Sequence, residues 1–321
     1  MAVNRDKPDR WKPDIAQSVD MYNTWFMNFA PQAFRETRVK VTEVVASTLK
    51  ATNNLKNLEP EILRQNPGIL PTLRMCTCPP IARDRLIGLA GVSKSVVDRM
   101  EVGGKLPVRL TSDRLDEELR KITNIVSRLA DRDIFTWLNT QQTPTESEIY
   151  RAATIVADRL CGSSADPIVR NAQEARQLQE IAAWLNGRGY RQLPAAQRVR
   201  FNEMPPGTYS FRLNIPVNLS DEGGKTVNIP VDAVIMRKTA QYGDYPLLIE
   251  AKSAGDFTNV NKRRKEEARK VQQLKATYGN TIEFILFLCG YFDSGYLGYE
   301  AAEGIDWVWE HRIDDLAEFR L

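Results

Sequence analysis

Asn228-Ile229-Pro230-Val231-Asp232 and, after a short polar stretch, Leu247-Leu248-Ile249-Glu250-Ala251-Lys252 decide how this chain is read. Each is an apolar run of strand length that ends in charge. Residues two apart in a strand project to one side, so Glu250 and Lys252 leave the second run together, with the carbonyl of Ala251 between them. If the two runs pair antiparallel, the carboxylate of Asp232 meets that of Glu250 across the ladder. Two carboxylates and a carbonyl make a hard oxygen site of the kind Mg²⁺ takes while keeping several waters. Such an ion activates water and neutralises charge at a phosphate. Lys252 would hold or deprotonate the attacking water and add positive charge beside the transition state. The plainer alternative is a strand-end turn at Asp232 and an ion pair of Glu250 with Lys252 at a sheet edge.

The next segment extends the pattern. Lys262, Arg263, Arg264 and Lys265 open a helical run whose apolar positions Ala268, Val271, Leu274 and Tyr278 recur at three- and four-residue steps, and Gly279-Asn280 stops it. Cations at a helix N-terminus oppose the macrodipole by roughly 0.3–1 kcal/mol each. Four in succession make sense against a polyanion, because phosphates favour both helix N-termini and Lys/Arg clusters; a solvated charge run is the alternative. Between Lys252 and this helix lies a polar loop with Asp256, Thr258, Asn259 and Asn261. Asn pairs bidentately with adenine and Arg with guanine in the major groove, so Asn259 and Asn261 are candidate base readers. The loop could equally be a connector capped by Asn261. Ser253 is placed to donate to a phosphate oxygen or to cap.

Asp232, Glu250, Ala251 and Lys252 resemble the PD-(D/E)xK nuclease signature, with Pro230 one place earlier than the short form of the motif has it. The stretches Ile229-Pro230-Val231-Asp232-Ala233-Val234-Ile235, Leu248 to Asn259 and Gly290 to Glu300 are similar to the XamI family of type II restriction endonucleases. The similarity runs from Asn4-Arg5-Asp6-Lys7-Pro8 to Trp307-Val308-Trp309-Glu310-His311, nearly the whole chain. It implies sequence-specific double-strand cleavage of DNA, catalysed by Asp232, Glu250 and Lys252 with Mg²⁺ on Asp232, Glu250 and the Ala251 carbonyl. It also implies a cognate DNA methyltransferase encoded separately. Palindromic targets imply a homodimer, one site for each strand.

Of 321 residues, 42% are hydrophobic and 26% charged, ordinary for a globular protein of one or two domains. No apolar run approaches the roughly 20 residues of a membrane span, and no signal-peptide core stands at the N-terminus, so a cytoplasmic location is expected. The net charge is +3, but Thr281 to Leu321 alone carry −7, which leaves +10 for residues 1–280. The polyanion surface should therefore avoid the C-terminal tail. Cys76, Cys78, Cys161 and Cys289 lack the paired spacing of structural zinc sites and read as reduced thiols. His311, the lone histidine, shares a period-two face with Trp307 and Trp309, and a packed strand position is expected for it.

Residues 1–165 read as a mostly helical DNA-recognition and dimerisation domain, and 166–321 as a PD-(D/E)xK-type αβββαβ nuclease core, an α/β chain in all. Helical spacing covers Ile15 to Phe29, is broken at Pro31, and resumes from Ala33 to Leu49 until Asn53-Asn54. Arg83 to Met100 has the form of a helix-turn-helix, with Gly91 at the turn and Ser93 as N-cap; Lys94, Ser95 and Arg99 are its candidate DNA contacts. An αα-corner in the domain core is the alternative. Asp113 to Leu138 reads as one long helix, Glu146 to Leu160 as another, and Cys161 to Pro167 as a linker. Ala172 to Asn186 is an amphipathic helix on which Glu174 or Glu180 could add a third carboxylate. Tyr209–Leu219, Thr226–Met236, Pro246–Lys252 and Glu283–Cys289 read as strands. Two other functions fit less well. A structure-directed repair or recombination nuclease would not need so large a helical region, and a non-catalytic helix-turn-helix DNA-binding protein would be expected to have lost one of the three active residues.

Overall fold

Helix α1 of this computed structural model runs unbroken over Pro8–Ala51, straight through Pro31. A proline inside a helix removes one ladder bond and crowds the preceding turn, but here helical faces on both sides hold the chain in register, so the expected break does not occur. Asn53, Asn54 and Leu55, all at positive φ, end the helix. The structure describes residues 2–140, 142–194, 199–219, 225–257 and 260–321, without the side chains at 163–166, 219 and 260–264.

Short helices follow: α2 (Pro60–Gln65), α3 (Leu70–Met75), α4 (Arg83–Ala90), α5 (Lys94–Gly103), α6 (Ser112–Leu129) and α7 (Trp137–Thr140). The long helix expected to Leu138 ends at Leu129, because Ala130 takes an extended bridge to Thr77. Helix α8 then spans Glu146–Gly187, and the expected linker at 161–167 lies inside it, Pro167 included. Apolar faces on either side, Ala153-Val156-Ala157 before and Leu178-Ile181-Leu185 after, are each buried, which keeps the intervening turns helical. The chain divides into two compact units, residues 30–168 and residues 1–29 with 169–321. The first 29 residues therefore belong with the C-terminal half, differing from a single cut at 165. They are tied there by Asp306, whose carboxylate accepts from the backbone N–H groups of Val3 (2.6 Å) and Asn4 (3.0 Å).

The helical unit is built on one core that includes Leu49, Leu63, Leu73, Leu86, Val96, Val97, Met100, Leu119, Ile122 and Phe135. Within it α4 and α5 join at Gly91, whose φ of +60° supplies the left-handed turn read from the sequence. Ser93 stands at the N-cap position but makes no capping bond; its hydroxyl lies 2.9 Å from that of Ser95.

The other unit is α/β, with a six-stranded mixed sheet in chain order: β1 (Arg191–Gln192), β2 (Thr208–Leu219), β3 (Lys225–Met236), β4 (Leu247–Ala254), β5 (Glu283–Gly290) and β6 (Asp306–Trp309). Strands β2, β3 and β4 are antiparallel, while β4, β5 and β6 run parallel. Parallel neighbours need a crossover; helix α9 (Val260–Tyr278) supplies it between β4 and β5, and α10 (Ser294–Ala302) lies between β5 and β6. Gly279 at φ +83° closes α9 where the sequence stops it. Helix α9 starts at Val260, which puts the backbone of Asn261 in its first turn. His311 falls beyond β6 in a 3₁₀ turn, 3.5 Å from Asp14, and not on a strand as expected. The four cysteines are free thiols. No helix among the described residues is long and apolar enough to cross a membrane.

Helix α8 covers one sheet face, where Leu178, Ile181, Trp184 and Leu185 meet Tyr209, Ala233, Ile235, Ile249 and Phe287. Helices α9 and α10 cover the other, with Val271, Leu274, Tyr296 and Leu297 against Val234, Leu248, Leu286 and Leu288. The β2–β3 hairpin changes sides along its length. Tyr209, Ala233 and Ile235 belong to the α8 side, whereas Ile215, Val217, Ile229 and Val231 belong to the α9 side, although all are odd-numbered. The register is the same before and after, Phe211 with Ala233 and Leu213 with Val231, so the ribbon turns over at the skipped pair, Arg212 and Asp232. Arg212 has φ +55°, the left-handed value that reverses side-chain alternation.

Candidate active site

The β3–β4 ladder pairs Ala233 with Ile249, Val234 with Leu248 and Ile235 with Leu247. One step further in that register, Asp232 stands opposite Glu250. Leu248, Glu250 and Lys252 share a side of β4, and Leu248 lies in the core formed with α9 and α10. The carboxylate-bearing end of the hairpin is thus fixed between a ribbon that turns over at Asp232 and a helix wall.

Charges converge there. Glu250 is 7% exposed, and its Oε1 accepts from Lys270 Nζ on α9 at 2.7 Å and lies 3.2 Å from Lys252 Nζ. Its Oε2 is buried with no hydrogen-bond partner. The Lys252 ammonium also lies 2.8 Å from Oε1 of Glu267, another α9 residue, only 1% exposed, whose Oε2 is likewise unpartnered. Asp232 Oδ2 accepts from the backbone N–H of Ala251 at 2.8 Å.

The environment sets the protonation states. Burial, then the charge of Glu250, pushes the Asp232 carboxyl up to about 6, against which the Ala251 N–H works. Burial disfavours the Lys252 ammonium, but Glu250 and Glu267 outweigh it and hold the amine above its ordinary range. Lys252 is therefore a charged donor here, not a free base. On α10, burial and the charge of Glu267 push Glu300 up to about 8, so this 1%-exposed carboxyl keeps its proton at neutral pH.

Among the described residues no group of three or more His, Cys, Asp or Glu side chains is placed to hold a metal ion. A cation at this site would rest on two carboxylates, a backbone carbonyl and water, which is the Mg²⁺ pattern. The donor set fits: a buried carboxylate oxygen on Glu250 has no partner, and the neighbouring Asp232, raised to about 6 by burial and then by the charge of Glu250, is still mostly ionised at neutral pH.

Of the other residues singled out in the sequence, Ser253 points to the α8 side, where its hydroxyl donates to Gln177 Oε1 at 3.1 Å. Glu174 pairs with Arg212 at 2.8 Å and contributes negative charge at Asp232, while Glu180 is exposed. Lys265 is exposed on the first turns of α9. Asn259 and the side chains of Asn261, Lys262, Arg263 and Arg264 lie outside the described residues. In the helical unit, Lys94, Ser95 and Arg99 are exposed along α5, whose other side carries the buried Val96, Val97 and Met100. Sequence reasoning missed Glu267, Lys270 and Glu300. A signal for two of them was there: Glu267 and Lys270 each stand four residues before an apolar position of the inner α9 stripe, Val271 and Leu274.

A model of the XamI restriction endonuclease family matches residues 53–309. The chain is 54% identical over 314 residues to the type II restriction enzyme SalI of Streptomyces albus G, covering 98% of each chain. Among solved structures it is similar to protein VC1899 from Vibrio cholerae at 12% identity, over 90% of this chain and 55% of that one, with a TM-score of 0.28, too low to carry an argument.

Proposed function

The chain belongs to the XamI family of restriction endonucleases, site-specific deoxyribonucleases of type II, and from that premise we propose that Asp232, Glu250 and Lys252 form its active site and that Mg²⁺ is its cofactor. The observation that carries this is the convergence at the end of the β3–β4 ladder, where the Asp232 carboxylate accepts from the N–H of Ala251, the residue between Glu250 and Lys252, and the Lys252 ammonium lies 3.2 Å from Glu250. The order α8, β2, β3, β4, α9, β5 supports reading this unit as a PD-(D/E)xK core.

Asp232, Glu250 and the Ala251 carbonyl would hold the ion. When bound, Mg²⁺ supplies a Lewis acid that acidifies water and neutralises the phosphate. Water adds at phosphorus, one P–O ester bond breaks, and the products are a phosphate monoester and a hydroxyl. Lys252, held as an ammonium, donates to the attacking water or to a phosphate oxygen and offsets the charge that grows there. Asp232 and Glu250 would repel the incoming phosphate, and a cation held by them would offset that repulsion. Lys262 to Lys265 at the start of α9 supply backbone contacts. Asn259 and Asn261 remain candidates for contacts near the cut, whereas Ser253, turned to Gln177 on the α8 side, does not. Lys94, Ser95 and Arg99 are candidates on the helical unit, to which we assign recognition and dimerisation. A palindromic target calls for two copies of the chain, and such an enzyme calls for a separately encoded methyltransferase to protect its host.

The test is incubation of long plasmid or phage DNA with the purified protein, with Mg²⁺ and with EDTA. Discrete Mg²⁺-dependent fragments, absent for Glu250→Ala that still binds DNA, are expected. A smear would move the assignment to a structure-directed nuclease, and cleavage by Glu250→Ala would remove Glu250 from the site.

A further inference from the structure

We propose that Glu267 on α9 is a positioning residue for cleavage, holding the Lys252 ammonium in place; this rests on the reading of Lys252 as an active-site residue. The geometry is specific. Glu267 is 1% exposed, its Oε1 lies 2.8 Å from Lys252 Nζ, and its Oε2 has no hydrogen-bond partner. A carboxylate buried this deeply is costly unless paired, and it stands on a helix stripe, with Val271 and Leu274, where an apolar side chain would pack at no such cost.

The ammonium has three protons to place. One points to Glu267 at 2.8 Å and one to Glu250 Oε1 at 3.2 Å, which leaves one for water or a phosphate oxygen. Without Glu267, the long side chain of Lys252 would have Glu250 as its remaining carboxylate partner and would settle on the group meant for the metal. Lys270, one turn further along α9, already occupies Glu250 Oε1 at 2.7 Å, so α9 steadies both members of the Glu250–Lys252 pair.

The experiment compares wild type with Glu267→Gln, Glu267→Asp and Lys252→Met as full-length proteins. It measures single-turnover cleavage of plasmid in Mg²⁺, DNA affinity in Ca²⁺ and thermal midpoint. Glu267→Gln keeps size and an acceptor but removes the charge. It is expected to slow cleavage by about 10–100-fold, the usual loss when a residue that orients an active-site group is removed, with DNA affinity and thermal midpoint close to wild type. Glu267→Asp, which keeps the charge, should recover part of the rate, and it decides the matter should the Gln variant not fold. Wild-type cleavage by Glu267→Gln with Lys252→Met inactive would overturn the positioning role and leave the site standing. A rate loss matched by an equal loss of DNA affinity would also overturn it. Wild-type cleavage by Lys252→Met would remove the site and this inference together.

Discussion

Replacing Asp232 by Asn should abolish cleavage and at the same time stabilise the metal-free protein, by an amount that depends on pH. Asp232 takes its proton at about 6 in the folded chain, against 3.8 for an ordinary aspartate, because it is buried and faces Glu250. The folded state holds that proton more tightly than the unfolded chain does. Its stabilising contribution is therefore complete below about pH 3.8 and is lost as the pH rises through about 6. A shift of about two units corresponds to roughly 3 kcal/mol at 1.36 kcal/mol per unit, an upper figure because the site is partly open to water. Asparagine retains the acceptor for the Ala251 N–H and never takes the charge. In EDTA at pH 8, Asp232→Asn should melt several degrees above wild type, taking roughly 2–4 °C per kcal/mol for a unit of this size. At pH 4 the two should converge. Thermal melts by circular dichroism across pH 4–8 measure it. A variant no more stable than wild type at pH 8, or a gap that does not shrink on acidification, would refute the account of the site as a pair of mutually repelling carboxylates.

Lys270→Met removes a cation that lies 2.7 Å from Glu250, so divalent-ion binding to the free protein should tighten, about tenfold or more by isothermal titration with Mn²⁺; weaker binding would show that Lys270 aids the metal instead of competing with it. Pro31→Ala restores one helical N–H donor at an exposed position of α1 and should raise stability, by up to about 3 kcal/mol on the helix scale, seen as a higher denaturant midpoint. Gly290→Ala should destabilise by several kcal/mol: φ is +101° and a Cβ there would lie 2.1 Å from the Ala254 carbonyl oxygen, at a point where the Gly290 N–H also donates to Ser18. An unchanged melt would contradict that packing.

The strands were legible because their apolar runs are long and their ends are marked. Leu247 to Ile249 and Phe284 to Leu288 are buried on both faces, as central parallel strands require, and the register that sets Asp232 against Glu250 follows from the alternation. The helices were less so. Pro31 and Pro167 read as stops, yet each sits inside a helix of more than 40 residues. Proline acts locally at a cost of a few kcal/mol, whereas the apolar faces on both sides act over many turns. Thr77 pairs with Ala130 across 53 positions, a contact that no local pattern near Leu129 announces, and it ends α6 early. The candidate site was half legible for the same reason. Asp232, Glu250 and Lys252 lie on two neighbouring strands, so spacing along the chain reports them. Glu267, Lys270 and Glu300 reach them only through the packing of α9 and α10 on the sheet.

Those helix residues change what the three strand residues amount to. Taken alone, Asp232, Glu250 and Lys252 carry one negative charge in excess. With Glu267 and Lys270 added, and Glu300 holding its proton, the excess is still one, but the charges are now ordered: each lysine is tied to Glu250 Oε1, and Lys252 is shared with Glu267. Asp232, Glu250 Oε2 and Glu267 Oε2 are left without an ammonium partner, and of these Asp232 and Glu250 Oε2 stand where the two strands meet. Burial keeps water from screening their charge, and that is what raises Asp232. A divalent ion would relieve this residue of charge at the place where a phosphate must approach. The same imbalance thus underlies the instability expected of the metal-free form above pH 6, the gain expected from Asp232→Asn, and the cation dependence proposed for cleavage.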